Sequence, residues 1–150
     1  MIVLAADHAA IGFKAELTRL LEARGEAYRD LGPFDESSVD YADYAHLLVR
    51  EILDGRADRG ILICGTGIGM SMAANRHRGI RAALCHDAYT ADMARRHNDA
   101  NLLVLGARVL GVGVAAQIVE VFLDTPFEGG RHQRRVDKIE SVTDDRPEDA

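Results

Sequence analysis

A chain of 150 residues is long enough for one domain with a real hydrophobic core and short for two of ordinary size. Hydrophobic residues make up 47% and charged residues 28%, which excludes a disordered chain, and no apolar run approaches the roughly 20 residues that span a bilayer. The net charge of −6, from 18 basic and 24 acidic residues, argues against nucleic acid or an anionic membrane as the main partner, while local basic clusters remain able to hold a small anion.

Residues 2–6 form a continuous apolar run, the pattern of a strand covered on both faces, and the run ends in the polar pair Asp7-His8. Phe13, Leu17, Leu20 and Leu21 then share one stripe of a helix that Gly25 stops. Residues 27–31 read as a weaker, more polar strand at a sheet edge, and Gly32-Pro33 opens a loop to Asp40. Tyr44, Leu48 and Ile52 repeat at helical spacing up to Gly55. Ile61-Leu62-Ile63 is a short buried strand ending in Cys64, followed by a loop with glycine at every second position (Gly65, Gly67, Gly69) and helix-forming residues from 70 to 75. A fourth strand is predicted at 80–84, and Asp87 is placed to cap a helix that runs to about His97. Residues 102–105 give a fifth strand, 112–123 a long helix, and the break at Gly129-Gly130 precedes a basic terminal helix from Arg131 to about Lys138. The charged stretch 144–150, with Pro147, reads as frayed, so the folded domain is expected over 1–140 with an acidic tail at 141–150.

Strand and helix alternate about five times, with each connection long enough for a crossover. The fold expected is therefore a single-domain, doubly wound five-stranded parallel sheet, Rossmann-like, with a C-terminal helical extension. Ligands of such sheets bind outside the C-terminal strand ends, which is where Asp7, His8, Cys64, Gly65 and Thr66 fall. A strand, a glycine loop and a helix start surround the space above Cys64 with backbone N–H groups, a nest suited to a phosphate or a developing oxyanion, and one in which a thiolate is favoured. Cys64 reads equally as a small core hydrophobe. The loop is not a dinucleotide fingerprint, because Met70 stands where the third glycine belongs, and it is not a cysteine phosphatase loop, because Met70 also replaces the arginine that chemistry needs.

The remaining polar candidates each have an ordinary alternative. His97 and Asn98, at the end of the fourth helix, suit the helix dipole and the following turn. Arg131 and Arg135 face one way on a helix and can grip a phosphate dianion together, or they form a solvated basic turn with Arg134. Arg108 lies just past the fifth strand, on the ligand edge, where an exposed ion pair is the bland reading. Cys85 reads as a packed thiol. Two cysteines without C-x-x-C spacing and the lack of a signal-peptide pattern predict a reducing, cytoplasmic setting, and the two cysteines and six histidines show no compact metal-ligand spacing.

Taken in order, Asp7-His8, Asp40-Tyr41, Ile63-Cys64-Gly65-Thr66-Gly67-Ile68-Gly69, Arg96-His97-Asn98-Asp99 and Gly129-Gly130-Arg131-His132-Gln133 resemble the ribose/galactose-phosphate isomerase family, from residue 2 to about 140. The resemblance implies aldose–ketose isomerisation of a sugar phosphate through an enediolate, with no metal or cofactor; the acidic charge balance already predicts no nucleic-acid or membrane partner. It implies Cys64 as the base working between C1 and C2, and His97, with Asp7, as the acid for ring opening. The amides of Gly65, Thr66, Gly67, Ile68 and Gly69 then stabilise the enediolate, and Thr66 relays a proton. His8, Arg108, Arg131 and Arg135 grip the phosphate, and Asn98 contacts the sugar. Met70 stands where some relatives carry a glutamate base, which leaves Cys64 for that task, and Ala42 stands where proline is expected after Tyr41. By spacing alone, a helix beginning near Asp87 carries His97 about 14 Å back from the ligand edge. That distance predicts a site completed by a second copy of the chain, in a dimer at least.

Overall fold

The computed structural model describes residues 1–141; the expectation of a frayed tail lies almost entirely outside them. Five strands, β1 (Ile2–Ala6), β2 (Tyr28–Asp30), β3 (Arg59–Cys64), β4 (Ala82–Leu84) and β5 (Leu102–Gly106), form one all-parallel sheet in the order β2-β1-β3-β5-β4. A short 3-10 turn (His8–Ala10) leads from β1 into α1 (Ile11–Ala23), and α2 (Tyr41–Leu53), α3 (Ile68–Ala74), α4 (Ala88–Asn98), α5 (Val112–Asp124) and α6 (Arg131–Glu140) follow in turn. The doubly wound fold read from the alternation of elements is the one observed.

Burial along the strands follows their place in the sheet. All residues of the central strands β1 and β5 are buried, as is β3 after Arg59, because helices cover both faces. The edge strands β2 and β4 are only partly buried and three residues long. On one face α1, α4 and α5 close over Leu4, Ile61, Ile63, Leu103 and Leu105, contributing Leu17, Leu21, Ala91, Ile118 and the fully buried Phe122. On the other face α2 and α3 cover Val3, Ala5, Leu62 and Val104 with Ala45, Leu48, Val49, Met70 and Ala74.

This winding fixes the switch point. From β1 the chain goes outward to β2 on one side, then returns to β3 on the other, so the C-terminal ends of β1 and β3 diverge and leave a crevice between them. Asp7 follows β1 directly and Cys64 ends β3. The loop from Gly32 to Asp40 is drawn toward the same edge. Ala6 N–H donates to Gly32 O at 2.9 Å, and the buried Lys14 ammonium donates to Pro33 O at 2.9 Å and pairs with Asp30.

Candidate active site

Several of the residues expected at the ligand edge do meet there. Asp7 N–H donates to Ile63 O at 3.0 Å, which sets the Asp7 backbone beside the end of β3, and its carboxylate accepts from Ala9 N–H at 3.0 Å to cap the 3-10 turn. His8 Nδ1 accepts from Val39 N–H at 3.2 Å. This leaves its Nε2 as the donor nitrogen.

Cys64 keeps 5% exposure, with half-buried Gly65 and exposed Thr66 directly after it. Its Sγ accepts from Gly67 N–H at 3.1 Å, the kind of contact that stabilises sulfur more as its negative charge grows. Two of the amides expected to face a ligand already have partners in the loop: Gly67 N–H on that buried sulfur, and Ile68 N–H, at the surface, on Thr66 Oγ1 at 3.3 Å. Arg108 N–H donates to Gly65 O at 2.9 Å, and its guanidinium lies over Gly65, where a Cβ would stand 3.6 Å from it.

Two of the glycines have a physical reason to be there. Gly67 has φ +80°, and a Cβ on it would lie 3.2 Å from the Leu105 carbonyl. A Cβ on Gly69 would overlap the Tyr41 ring at 2.6 Å. Tyr41, the first residue of α2 and 46% exposed, therefore lies flush on the glycine loop, with Ala42 simply continuing the helix. Composition and periodicity gave Tyr41 no role, and the Asp40-Tyr41 pair alone drew notice to it.

The other predicted residues collect at the opposite edge. Asn98 ends α4, and β5 begins at Leu102, which is paired with Gly60 at the start of β3. From Gly60 to Cys64 the strand climbs about 13 Å. Within one chain His97 and Asn98 are thus kept away from Cys64, as the length of α4 demanded. The α4 terminus is firmly held. Asp99 sits in the left-handed region at φ 45°, its carboxylate accepting from Arg95 at 2.9 Å and from Arg81 at 3.3 Å. His97 stacks on His132 of α6, and α6 also carries Arg131 and Arg135, both exposed and one turn apart. The sequence motif Gly129-Gly130-Arg131-His132-Gln133 assigns His132 no role. Its signal is the spacing of the two buried α6 residues, His132 and Val136.

Among the described residues one group has metal-ligand chemistry, His97, Glu128 and His132, with ligand atoms within 4.8 Å of one another. The two imidazole planes are 5° from parallel, so their lone pairs run side by side instead of converging, and the Arg131 guanidinium, 3.4 Å from His132, opposes a second cation. The cluster does not fit a bound metal as it stands. The second thiol, Cys85, is sealed just beyond β4, and burial pushes its pKa up to about 11, far from nucleophilic use at neutral pH. No helix of the described residues is long and apolar enough to cross a membrane.

Known proteins resemble this chain in sequence and fold over nearly its full length. The family described as "Ribose/Galactose Isomerase" matches residues 2–139. The ribose-5-phosphate isomerase B of Escherichia coli is 42% identical over 94% of this chain and 95% of its own length. The D-erythrulose-4-phosphate isomerase of Pectobacterium atrosepticum is 46% identical over 92% of this chain and 91% of its own. Among solved structures, a ribose 5-phosphate isomerase from Thermotoga maritima superposes with a TM-score of 0.92 at 53% identity, covering 94% of this chain and 97% of that one. With the family matched over residues 2–139 and solved relatives superposing over nearly the full length, the chain belongs to the ribose/galactose isomerase family and is a sugar phosphate isomerase.

Proposed function

We propose that the chain interconverts ribose 5-phosphate and ribulose 5-phosphate by moving a proton between C2 and C1. The observation that carries this reading is the Cys64 sulfur held under Gly67 N–H at 3.1 Å, at the switch-point edge and beside Asp7. The Cys64 thiolate takes the C2 proton of the open-chain aldose, and the electron pair moves onto the carbonyl as an enediolate. Loop amides and Thr66 steady the negative oxygens, and Thr66 passes the proton from one oxygen to the other. The Cys64 thiol then returns its proton to C1, giving the ketose with no net change in oxidation and no added reagent.

His97, with Asp7, protonates and opens the furanose ring before this step. Asn98 contacts the sugar, while His8, Arg108, Arg131 and Arg135 hold the phosphate and so fix the reacting carbons. Since His97, Asn98, Arg131 and Arg135 lie at the far edge from Cys64, the reading requires a second copy of the chain. Each site takes its base from one subunit and its ring-opening acid from the other, in a two-fold dimer at least.

A second reading within the same chemistry, isomerisation of a tetrose phosphate, is favoured by the 46% identity to the D-erythrulose-4-phosphate isomerase. Purified protein assayed side by side with ribose 5-phosphate, allose 6-phosphate, galactose 6-phosphate and erythrose 4-phosphate separates them. Ribose 5-phosphate is expected to have the highest kcat/KM. A higher value for a six- or four-carbon sugar overturns the substrate assignment, and binding of all four without turnover marks a non-catalytic module.

A further inference from the structure

The chemistry above leaves one buried imidazole unused. His132 is 3% exposed on the inward side of α6. Its ring lies flat on that of His97, with centroids 4.1 Å apart and planes 5° from parallel. At its edge, Arg131 Nε–H donates to His132 Nε2 at 3.4 Å, with a Glu128 carboxylate oxygen 3.4 Å from the same nitrogen. Its Nδ1 is buried with no partner among the described residues. A buried polar atom left unpaired is uncommon in a folded protein and calls for a reason, because phenylalanine or leucine would fill the space without it.

The charge state narrows that reason. Burial, followed by the positive neighbours His97 and Arg131, holds the His132 pKa below the ordinary imidazole value. A neutral ring has one acceptor nitrogen, and Arg131 already points a donor at Nε2. The ring thus meets two residues of the proposed site at once: its face meets the imidazole of His97 and its edge the guanidinium of Arg131. Both neighbours have freedom to lose. Arg131 is exposed and lies at the start of its helix, and His97 is only half-buried in the last turn of α4.

We infer that His132 is a positioning residue, whose face fixes the plane of the His97 ring and whose Nε2 aims the Arg131 guanidinium. One side chain then sets the geometry of the ring-opening acid and of the phosphate grip together. The inference rests on the roles proposed above for His97 and Arg131.

Two replacements divide the two contacts. His132→Gln keeps an acceptor for Arg131 and loses the ring. His132→Phe keeps the ring and loses the acceptor. With ribose 5-phosphate, His132→Gln is expected to lower kcat on the order of tenfold or more with KM within about threefold, because the acid is no longer held in line. His132→Phe is expected to raise KM on the order of tenfold with kcat within about threefold, because the phosphate grip loosens. His97→Gln is measured alongside, and thermal melting confirms that all three variants fold.

Parental constants in both His132 variants, or the same loss of kcat and KM in each, overturn the inference while a crippled His97→Gln leaves the site reading intact. A His97→Gln enzyme as active as the parent removes the site reading itself, and the inference with it.

Discussion

Cys64→Ala and His97→Gln, made in separate chains and then mixed, test the division of the site between two copies. Within one subunit the two residues lie at opposite edges of the sheet, separated by at least the climb of β3 from Gly60 to Cys64, about 13 Å. Neither side chain covers that gap by changing rotamer. Each replacement removes a proton-transfer group and is expected to lower turnover of ribose 5-phosphate by roughly a hundred- to ten-thousand-fold. If every site joins Cys64 of one subunit to His97 of the other, a mixed dimer holds one intact site and one doubly defective site. Random reassortment of equal amounts makes half of the dimers mixed, so about one quarter of the parental sites return. The assay mixes the variants, allows subunit exchange through dilution or mild urea, reconcentrates and follows ketose formation. Recovery near a quarter supports shared sites. Activity no higher than the mean of the two parents, with exchange verified by mass spectrometry of a tagged chain, refutes them.

Other expectations follow from single positions. In Gly67→Ala a residue with a Cβ must adopt φ +80° with its methyl 3.2 Å from the Leu105 carbonyl. Urea unfolding should show a loss of about 2–4 kcal/mol from the left-handed conformation and the overpacking, and a loss under 0.5 kcal/mol would mean the loop relaxes freely (estimates from). With the Cys85 thiol pushed up to about 11, only about one part in a thousand is thiolate at pH 8, so iodoacetamide should label native protein at Cys64 and reach Cys85 only on unfolding. Peptide mass spectrometry showing equal rates contradicts this. Burial, then the charges of His46 and Arg50, lowers the pKa of His77, as burial with His97 and Arg131 lowers that of His132. The unfolded chain therefore binds more protons than the folded one as the pH falls below the ordinary imidazole value of about 6.5, and stability drops there. The melting temperature should fall from pH 7.5 to 5.5 and fall less in His77→Gln; a flat or rising curve contradicts the burial argument. Finally, erythrose 4-phosphate has its C4 oxygen esterified and cannot close a furanose ring. His97→Gln should turn it over within about threefold of the parent, since no ring-opening acid is needed. A deficit as large as that on ribose 5-phosphate removes ring opening from His97.

The sheet was legible because a parallel strand covered on both faces must be apolar from end to end, as Ile2–Ala6 and Leu102–Gly106 are. Strand order was not legible. An amphipathic helix shows which of its sides is buried, but not whether its crossover carries the chain left or right along the sheet. Two boundaries moved for local reasons. The fourth strand, expected from residue 80, begins at Ala82, because Ile80 is spent closing the preceding turn through Ile80 N–H to His77 O at 3.1 Å. The third helix begins at Ile68, earlier than composition suggested. Gly67 supplies the left-handed turn into it, and position 69, inside the helix, is glycine because the Tyr41 ring fills the place of a side chain.

For the site, distance along an element could be read and contact between elements could not. In a parallel sheet all C-terminal strand ends share one edge, so Asp7 and Cys64 could be placed on the same edge, while their nearness there depended on the unread pairing of β1 with β3. The remoteness of His97 followed from the rise of a helix that starts at that edge and ends four residues before the next strand. The stack of His97 on His132 and the seat of Tyr41 on Gly69 join residues far apart in sequence, and no periodicity encodes which faces meet. The first of these contacts sits on the half of the site that needs orientation most. A cysteine at a strand end is held by the backbone that carries it, whereas an imidazole in a helix's last turn keeps its rotamer freedom until something lies against it. The buried, incompletely bonded ring of His132 is what lies there, so its value is expected to appear in catalysis sooner than in stability.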